Sequence, residues 1–327
     1  MTRKGLILLI VMSVVSTTAA WSQNGKLLNS RAFEASPQLI KDLDEDFPGA
    51  NYADTFALAK MEEISYESNK TEVKGYLIRP AEPGSYPCLI YNRYGHKDDG
   101  ILNEIIVAQE LHRFARWGYV VIASQYRGYA GGEGEDEFGG EDVDDVINLI
   151  PLLASIPEAD TSRIGMYGIN RGGMMTYLSI HRRAKVRAAM VESGISNLFL
   201  YAANNDWDGF YDDMAEMIPD YYSDRVNPIK KRSVAYWAEE MPKEIPFLLM
   251  HGTSDQIVHP SETFSAAEQF FKNQIPFRAV YFEGGTNLLT EHTEEKLLIM
   301  KRFLDDYVRD AKEFPAIINL ERAQRRR

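Results

Sequence analysis

The chain has 327 residues, 45% of them hydrophobic and 26% charged, a formal net charge of −12 and a single cysteine. So acidic a protein repels polyanions, which excludes nucleic acid as a partner, and Cys88 alone excludes an intramolecular disulfide framework. No His, Cys and carboxylate cluster has metal-ligand spacing, so neither a metal nor another cofactor is expected.

Arg3 and Lys4, an apolar run over 6–15 and small residues at 17–20 form an export leader, which places the mature protein in the periplasm or outside the cell with no membrane span after cleavage. An N-terminal extension over 21–59 holds a predicted helix at 36–46. The main domain is assigned to 60–327, beginning with two strand-like runs, 61–67 and 71–78, that read as an antiparallel pair around Ser68-Asn69-Lys70. Parallel-strand runs follow at 88–91, 119–123, 164–167, 186–191, 247–250 and 277–282. Segments with helical periodicity separate them, at 103–116, 142–153, 172–181, 260–272 and 294–308. This alternation predicts an α/β fold, a doubly wound and mostly parallel sheet with ligand chemistry at its carboxyl edge. One stretch, 197–241, departs from it. That stretch is rich in acids and in aromatics such as Phe199, Tyr201, Trp207, Phe210 and Trp237, and reads as a helical cap whose rings line a pocket or pack the cap onto the sheet.

The segment Gly168-Ile169-Asn170-Arg171-Gly172 has the spacing of a strand-to-helix nucleophile elbow, G-x-S-x-G, with asparagine at its centre. A carboxamide has no hydroxyl or thiol for a base to activate, so covalent acyl transfer loses its first step. Asparagine does tolerate the positive φ of such a turn, and the same tolerance is expected of Asn287. In the chain order of such sites an acid follows, and Asp255 stands in the loop after the apolar run 246–250. A histidine should come one strand later, where Glu283-Gly284-Gly285-Thr286-Asn287 offers Asn287 instead. An amide cannot take and return a proton near neutral pH as an imidazole does.

Tyr126-Arg127-Gly128-Tyr129-Ala130-Gly131-Gly132 followed by Glu137-Phe138-Gly139-Gly140-Glu141-Asp142-Val143-Asp144-Asp145, the strand and loop Pro87 to Gly95, and His251-Gly252-Thr253 with Asp255 and Val258 complete the pattern. Over roughly 60–310 the chain resembles the catalytic domain of the prolyl oligopeptidase family of serine peptidases. The resemblance implies an α/β-hydrolase fold with a helical cap, serine hydrolase descent, the nucleophile position at Asn170, the base position at Asn287 and a retained acid at Asp255. It also implies an oxyanion and pocket side formed by Arg93, Tyr94 and Arg171.

Other polar residues have structural readings. His292 lies too far past Asn287 to replace the base, His96 is a loop or pocket-wall residue, Ser254 a turn residue and His251 a structural one. Three functional readings stay open. The chain is an inactive homologue that binds a peptide, a small molecule or a protein partner, or an active peptidase or esterase with a non-standard mechanism in which Asp255 is the base, or a structural and assembly component.

Overall fold

The computed structural model describes residues 24–46, 51–204 and 209–315; the expected leader at 1–20, and Trp207 of the expected cap, lie outside the described residues. In chain order, β1 (Leu27–Ala32), α1 (Pro37–Asp46), α2 (Tyr52–Phe56), β2 (Ala59–Ser68), β3 (Thr71–Pro80) and β4 (Tyr86–Asn92) lead into α3. Helix α3 covers residues 104–116 and carries a π turn at Val107–Leu111. Then come β5 (Val120–Ser124), α4 (Asp142–Ile147), α5 (Leu149–Leu153), β6 (Ala159–Ile169), α6 (Arg171–His181) and β7 (Ala188–Glu192). The cap supplies α7 (Leu198–Asn204), α8 (Phe210–Met217) and α9 (Asn227–Lys231). The chain returns through β8 (Phe247–Gly252), α10 (Ser261–Lys272), β9 (Phe277–Phe282) and α11 (Thr293–Leu304).

Among the described residues, nine strands form one sheet in the order β1-β2-β3-β5-β4-β6-β7-β8-β9. Strands β1, β2, β3 and β5 pair antiparallel, and all pairs from β5 through β4 to β9 are parallel. The predicted α/β architecture is therefore present. The central strands are apolar on both sides because helices cover both faces. Cys88, Ile90, Met166, Val191 and Leu249 face α4, α6 and the cap. Leu89, Tyr91, Tyr167, Met190 and Leu248 face α3 and α11. Cys88 is a buried free thiol in that core.

The sequence reading has no strand within 21–59, yet β1 pairs with β2. Its side chains are almost all exposed, so no hydrophobic alternation marks it; what makes it a strand is the open edge of β2.

The loop after β5 is tied down by charge. Arg127 donates to both oxygens of Asp145, at 2.9 Å from Nη2 and 3.1 Å from Nε, and its own amide donates to the same carboxylate. Ser68 Oγ adds a bond of 2.7 Å to Asp145. Both charges are buried, so removal of one strands the other. Asp145→Ala should therefore destabilise the fold by about 3 kcal/mol, read as a lower urea midpoint at unchanged slope.

Candidate functional site at the carboxyl edge of the sheet

Strand β6 ends by turning sharply into α6, and Asn170 sits at the turn with φ 50° and ψ −114°. The turn is possible because its flanks are glycines. A Cβ on Gly172 would lie 2.0 Å from the Asn92 carbonyl oxygen, and one on Gly168 would lie 2.0 Å from that of Gly172. The backbone of Asn170 is fixed on both sides, its amide donating to Glu192 O at 3.0 Å and its carbonyl accepting from Ile195 N at 3.2 Å. The expectation that asparagine occupies a positive-φ elbow is met at this residue. For Asn287 it is not. The left-handed positions in that loop are Leu288 (φ 67°) and Leu289 (φ 51°), one and two residues later.

The three residues placed together by chain order are together in space. Asn287 Nδ2 donates to Asp255 Oδ2 at 3.0 Å and to Asn170 Oδ1 at 3.0 Å, while Asn170 Nδ2 faces Asn287 Oδ1 at 3.3 Å. The two carboxamides thus form a reciprocated pair capped by a carboxylate. Both protons of the Asn287 amide are used, so its orientation is dictated by the acceptors on either side. Asp255 is held from the other side by the amides of Ile257 and Val258, at 2.8 and 2.9 Å. Burial acts to raise its carboxyl, but hydrogen bonds from His251, the Val258 amide and Asn287 outweigh it and hold the group below the usual carboxylate range. It is an anion at neutral pH.

His251 is buried beside the acid. Its Nε2 lies 2.7 Å from Val258 O, which can only accept, and 3.3 Å from Asp255 Oδ2, so this nitrogen carries the proton. Nδ1 then accepts from Thr263 Oγ1 at 2.7 Å. The imidazole therefore buttresses the acid, and with both ring nitrogens engaged by Thr263, Val258 and Asp255 it has none left to serve Asn170. His292 bonds to Glu283 O at 3.0 Å, away from the amide pair.

The expected oxyanion and pocket residues divide. Tyr94 borders a cavity together with Ile169 and Leu288, the neighbours of the two asparagines. The side chains of Arg93 and Arg171 do not face a pocket, which corrects the sequence reading. Arg93 is fully buried, donates to the carbonyls of Gln125, Tyr94 and Asp99, and lies over the rings of Tyr126 and Tyr129 at 4.9 Å. Arg171 is buried between Asp136 and Asp142, at 2.5 and 2.8 Å, over the Phe138 ring. The physical reason is the ring of acids that the intervening loop brings in: a guanidinium this close to two carboxylates is stabler there than in an open cleft. Asp136 is correspondingly held down to about 2; burial opposes the shift, and the Arg171 charge and hydrogen bonds overcome it. What Arg171 still offers the site is its backbone N–H, at the first position of α6, where no intrahelical acceptor exists.

The model of the prolyl oligopeptidase family matches residues 107–310. The chain belongs to this family. It is 32% identical over 235 residues to the uncharacterized peptidase YtmA of Bacillus subtilis (strain 168), a match covering 68% of this chain and 84% of that protein. A second relative from the same organism, the uncharacterized peptidase YuxL, is 26% identical over 232 residues, and the chain spans only 33% of its length. Among solved structures, the acylaminoacyl peptidase of Pyrococcus horikoshii superposes with a TM-score of 0.65 at 20% identity, over 82% of this chain and 44% of that one. The acetyl xylan esterase from Paenibacillus sp. R4 superposes with 0.62 at 17% identity, over 87% and 90%. At these identities the superpositions speak for the shared fold.

In this member of the prolyl oligopeptidase family, two of the contacts that fasten the cap are made by ionisable side chains. Lys97, in the loop after β4, donates to Asp213 and Glu216 of α8, both at 2.6 Å. On the far side, Glu262 of α10 accepts from the amides of Ser196 and Asn197, at 2.7 and 2.8 Å, and from Ser196 Oγ at 2.9 Å, where the chain enters the cap. The described cap aromatics mostly pack on one another and on the domain: Tyr201 on Phe210, Phe199 on Tyr236, and Trp237 stacked on His181 at 4.3 Å. Neither anchor carries a sequence motif; each depends on side chains that are far apart along the chain.

Burial raises the Glu262 carboxyl from 4.5 to about 7, against the lowering effect of the Ser196 and Asn197 amides. The folded state therefore keeps a proton that the unfolded chain has released. This contribution to stability is complete below pH 4.5, declines as pH rises, and is gone above about 7. Glu262→Gln should narrow the difference in Tm between about pH 5 and pH 8 relative to the natural chain, as read by scanning calorimetry.

Proposed function

We propose that this chain is an exported member of the prolyl oligopeptidase family that has lost acyl transfer and uses the retained site to bind rather than to cleave. The observation that carries this reading is the reciprocated Asn170–Asn287 amide pair. A serine hydrolase needs an oxygen nucleophile that gives its proton to a base while it attacks a carbonyl carbon. Here the group at the elbow is a neutral carboxamide, and the group at the base position is another. Each satisfies the other, and neither gains nor loses a proton near neutral pH. Asp255 is an unpromising substitute base, because its buried carboxylate already accepts from Asn287, Ile257 and Val258 and is held below the ordinary range. Export rests on the basic and apolar run at residues 3–15.

The surroundings favour a kept recognition site. The elbow glycines, the Arg171 amide and the cap anchors are all present, and a carboxamide at the elbow offers a donor to a peptide or ester carbonyl and an acceptor to a peptide N–H. The relatives named as peptidases and the esterase neighbour suggest a carbonyl-containing ligand as the class to try.

A fluorophosphonate probe tests the reading. The natural chain should stay unlabelled, and the variant Asn170→Ser with Asn287→His should gain covalent labelling at position 170. Labelling of the natural chain that disappears in Asp255→Asn would sink the proposal and favour an active enzyme with Asp255 as base.

A further inference from the structure

On the face of the sheet away from the cap, a cavity of about 460 Å³ opens between the end of β4, helix α3 and the start of α11. Three independent features mark it. The Tyr91 hydroxyl, at the end of β4 and in the cavity wall, is buried and has no hydrogen-bond partner among the described residues. A buried hydroxyl that has given up water without replacement is a cost that native structures rarely carry without a use. Helix α3 makes its π turn at Val107–Leu111, and that turn carries Gln109 and Glu110 into the wall; such turns concentrate at functional sites. Leu288, also in the wall, holds a left-handed conformation that bulky side chains avoid, and Lys296 Nζ grips its carbonyl at 2.5 Å.

The lining also states what the cavity would accept. Its two cations are already matched, Lys296 with Glu192 at 3.0 Å and Arg113 with Glu110 at 3.5 Å, so no net charge is left to recognise an ion. The remaining wall is largely aromatic and aliphatic, with Tyr52, Tyr94, Ile105, Ile106, Ile169 and Leu288 beside Tyr91 in the lining. Burial pushes the Tyr91 hydroxyl well above its ordinary range of ionisation, so it stays a neutral donor at any physiological pH.

We propose that this cavity is a binding site for an uncharged aromatic ligand bearing one carbonyl acceptor, with the ring among the tyrosines and the acceptor hydrogen-bonded to Tyr91. None of Asn170, Asp255 and Asn287 lines it, so the inference stands whether or not acyl transfer has been lost.

Acetanilide is the probe, titrated into the full chain and followed by calorimetry and by methyl NMR, with benzoate as its charged counterpart. The expected result is saturable binding that shifts the methyl signals of Ile106, Ile169 and Leu288. Tyr91→Phe, which removes only the unpaired hydroxyl, should weaken it by about fivefold to tenfold. Ile105→Trp, at a half-exposed position on the rim, should block it while leaving the fold intact. The proposal is overturned if acetanilide does not bind saturably, if Tyr91→Phe binds it as tightly, if benzoate binds as well, or if the shifted methyls belong to the cap.

Discussion

The site depends on one buried cluster of charge, the guanidinium of Arg171 between the carboxylates of Asp136 and Asp142. Arg171 is the first residue of the helix that leaves the elbow, and both acids come from the loop and helix that follow β5. Their attraction fixes the start of α6 against that loop, and the loop is in turn fixed to β2 through Arg127, Asp145 and Ser68. Asp142 also accepts from the amides of Gly139 and Gly140, so one carboxylate shapes the loop and anchors the helix. A buried cluster of this kind adds little to stability against an apolar replacement, but loss of any single member is severe. Its contribution is geometric: the turn at Asn170 has one position available to it.

On that fixed turn, an amide chain occupies the place of a proton relay. Asp255, Asn287 and Asn170 are joined by hydrogen bonds of 3.0 Å, with a weaker return contact of 3.3 Å. In a triad of acid, imidazole and hydroxyl, the proton passes between hydroxyl and imidazole while the acid orients the ring and stabilises its charge. Between two carboxamides nothing moves, because neither group titrates near neutral pH. His251 stands against the same carboxylate oxygen of Asp255 that Asn287 bonds to and helps keep the group charged.

The cap and the cavity lie on opposite faces of the sheet. The cap is held by charge on one side, at Lys97, and by a protonatable carboxyl on the other, at Glu262. The cavity is bounded by Ile169 and Leu288, each one residue from an asparagine of the pair. The same short loops therefore serve both faces, which is a common outcome at the carboxyl edge of a parallel sheet, where the strands end and the backbone turns away.

The sequence by itself determined the α/β alternation, the parallel core, the antiparallel pair at its start and the three chain-ordered site residues Asn170, Asp255 and Asn287. These were legible because each rests on local pattern: apolar runs for doubly buried strands, glycines flanking a turn, and an acid placed just past a strand. Tertiary structure alone decided the rest. Strand β1 exists because β2 has a free edge, and nothing in its exposed side chains announces it. Arg93 and Arg171 read as pocket residues from their place beside the motif, yet their side chains turn into the core, where Asp99 and Gln125 supply acceptors to Arg93 and Asp136 and Asp142 to Arg171. The positive φ in the loop that carries Asn287 falls at Leu288 and Leu289, where Lys296, from the next helix, holds the Leu288 carbonyl. Local periodicity reports which face of an element is buried; it carries no information on which distant charge or donor waits there, and that pairing is what shapes this site.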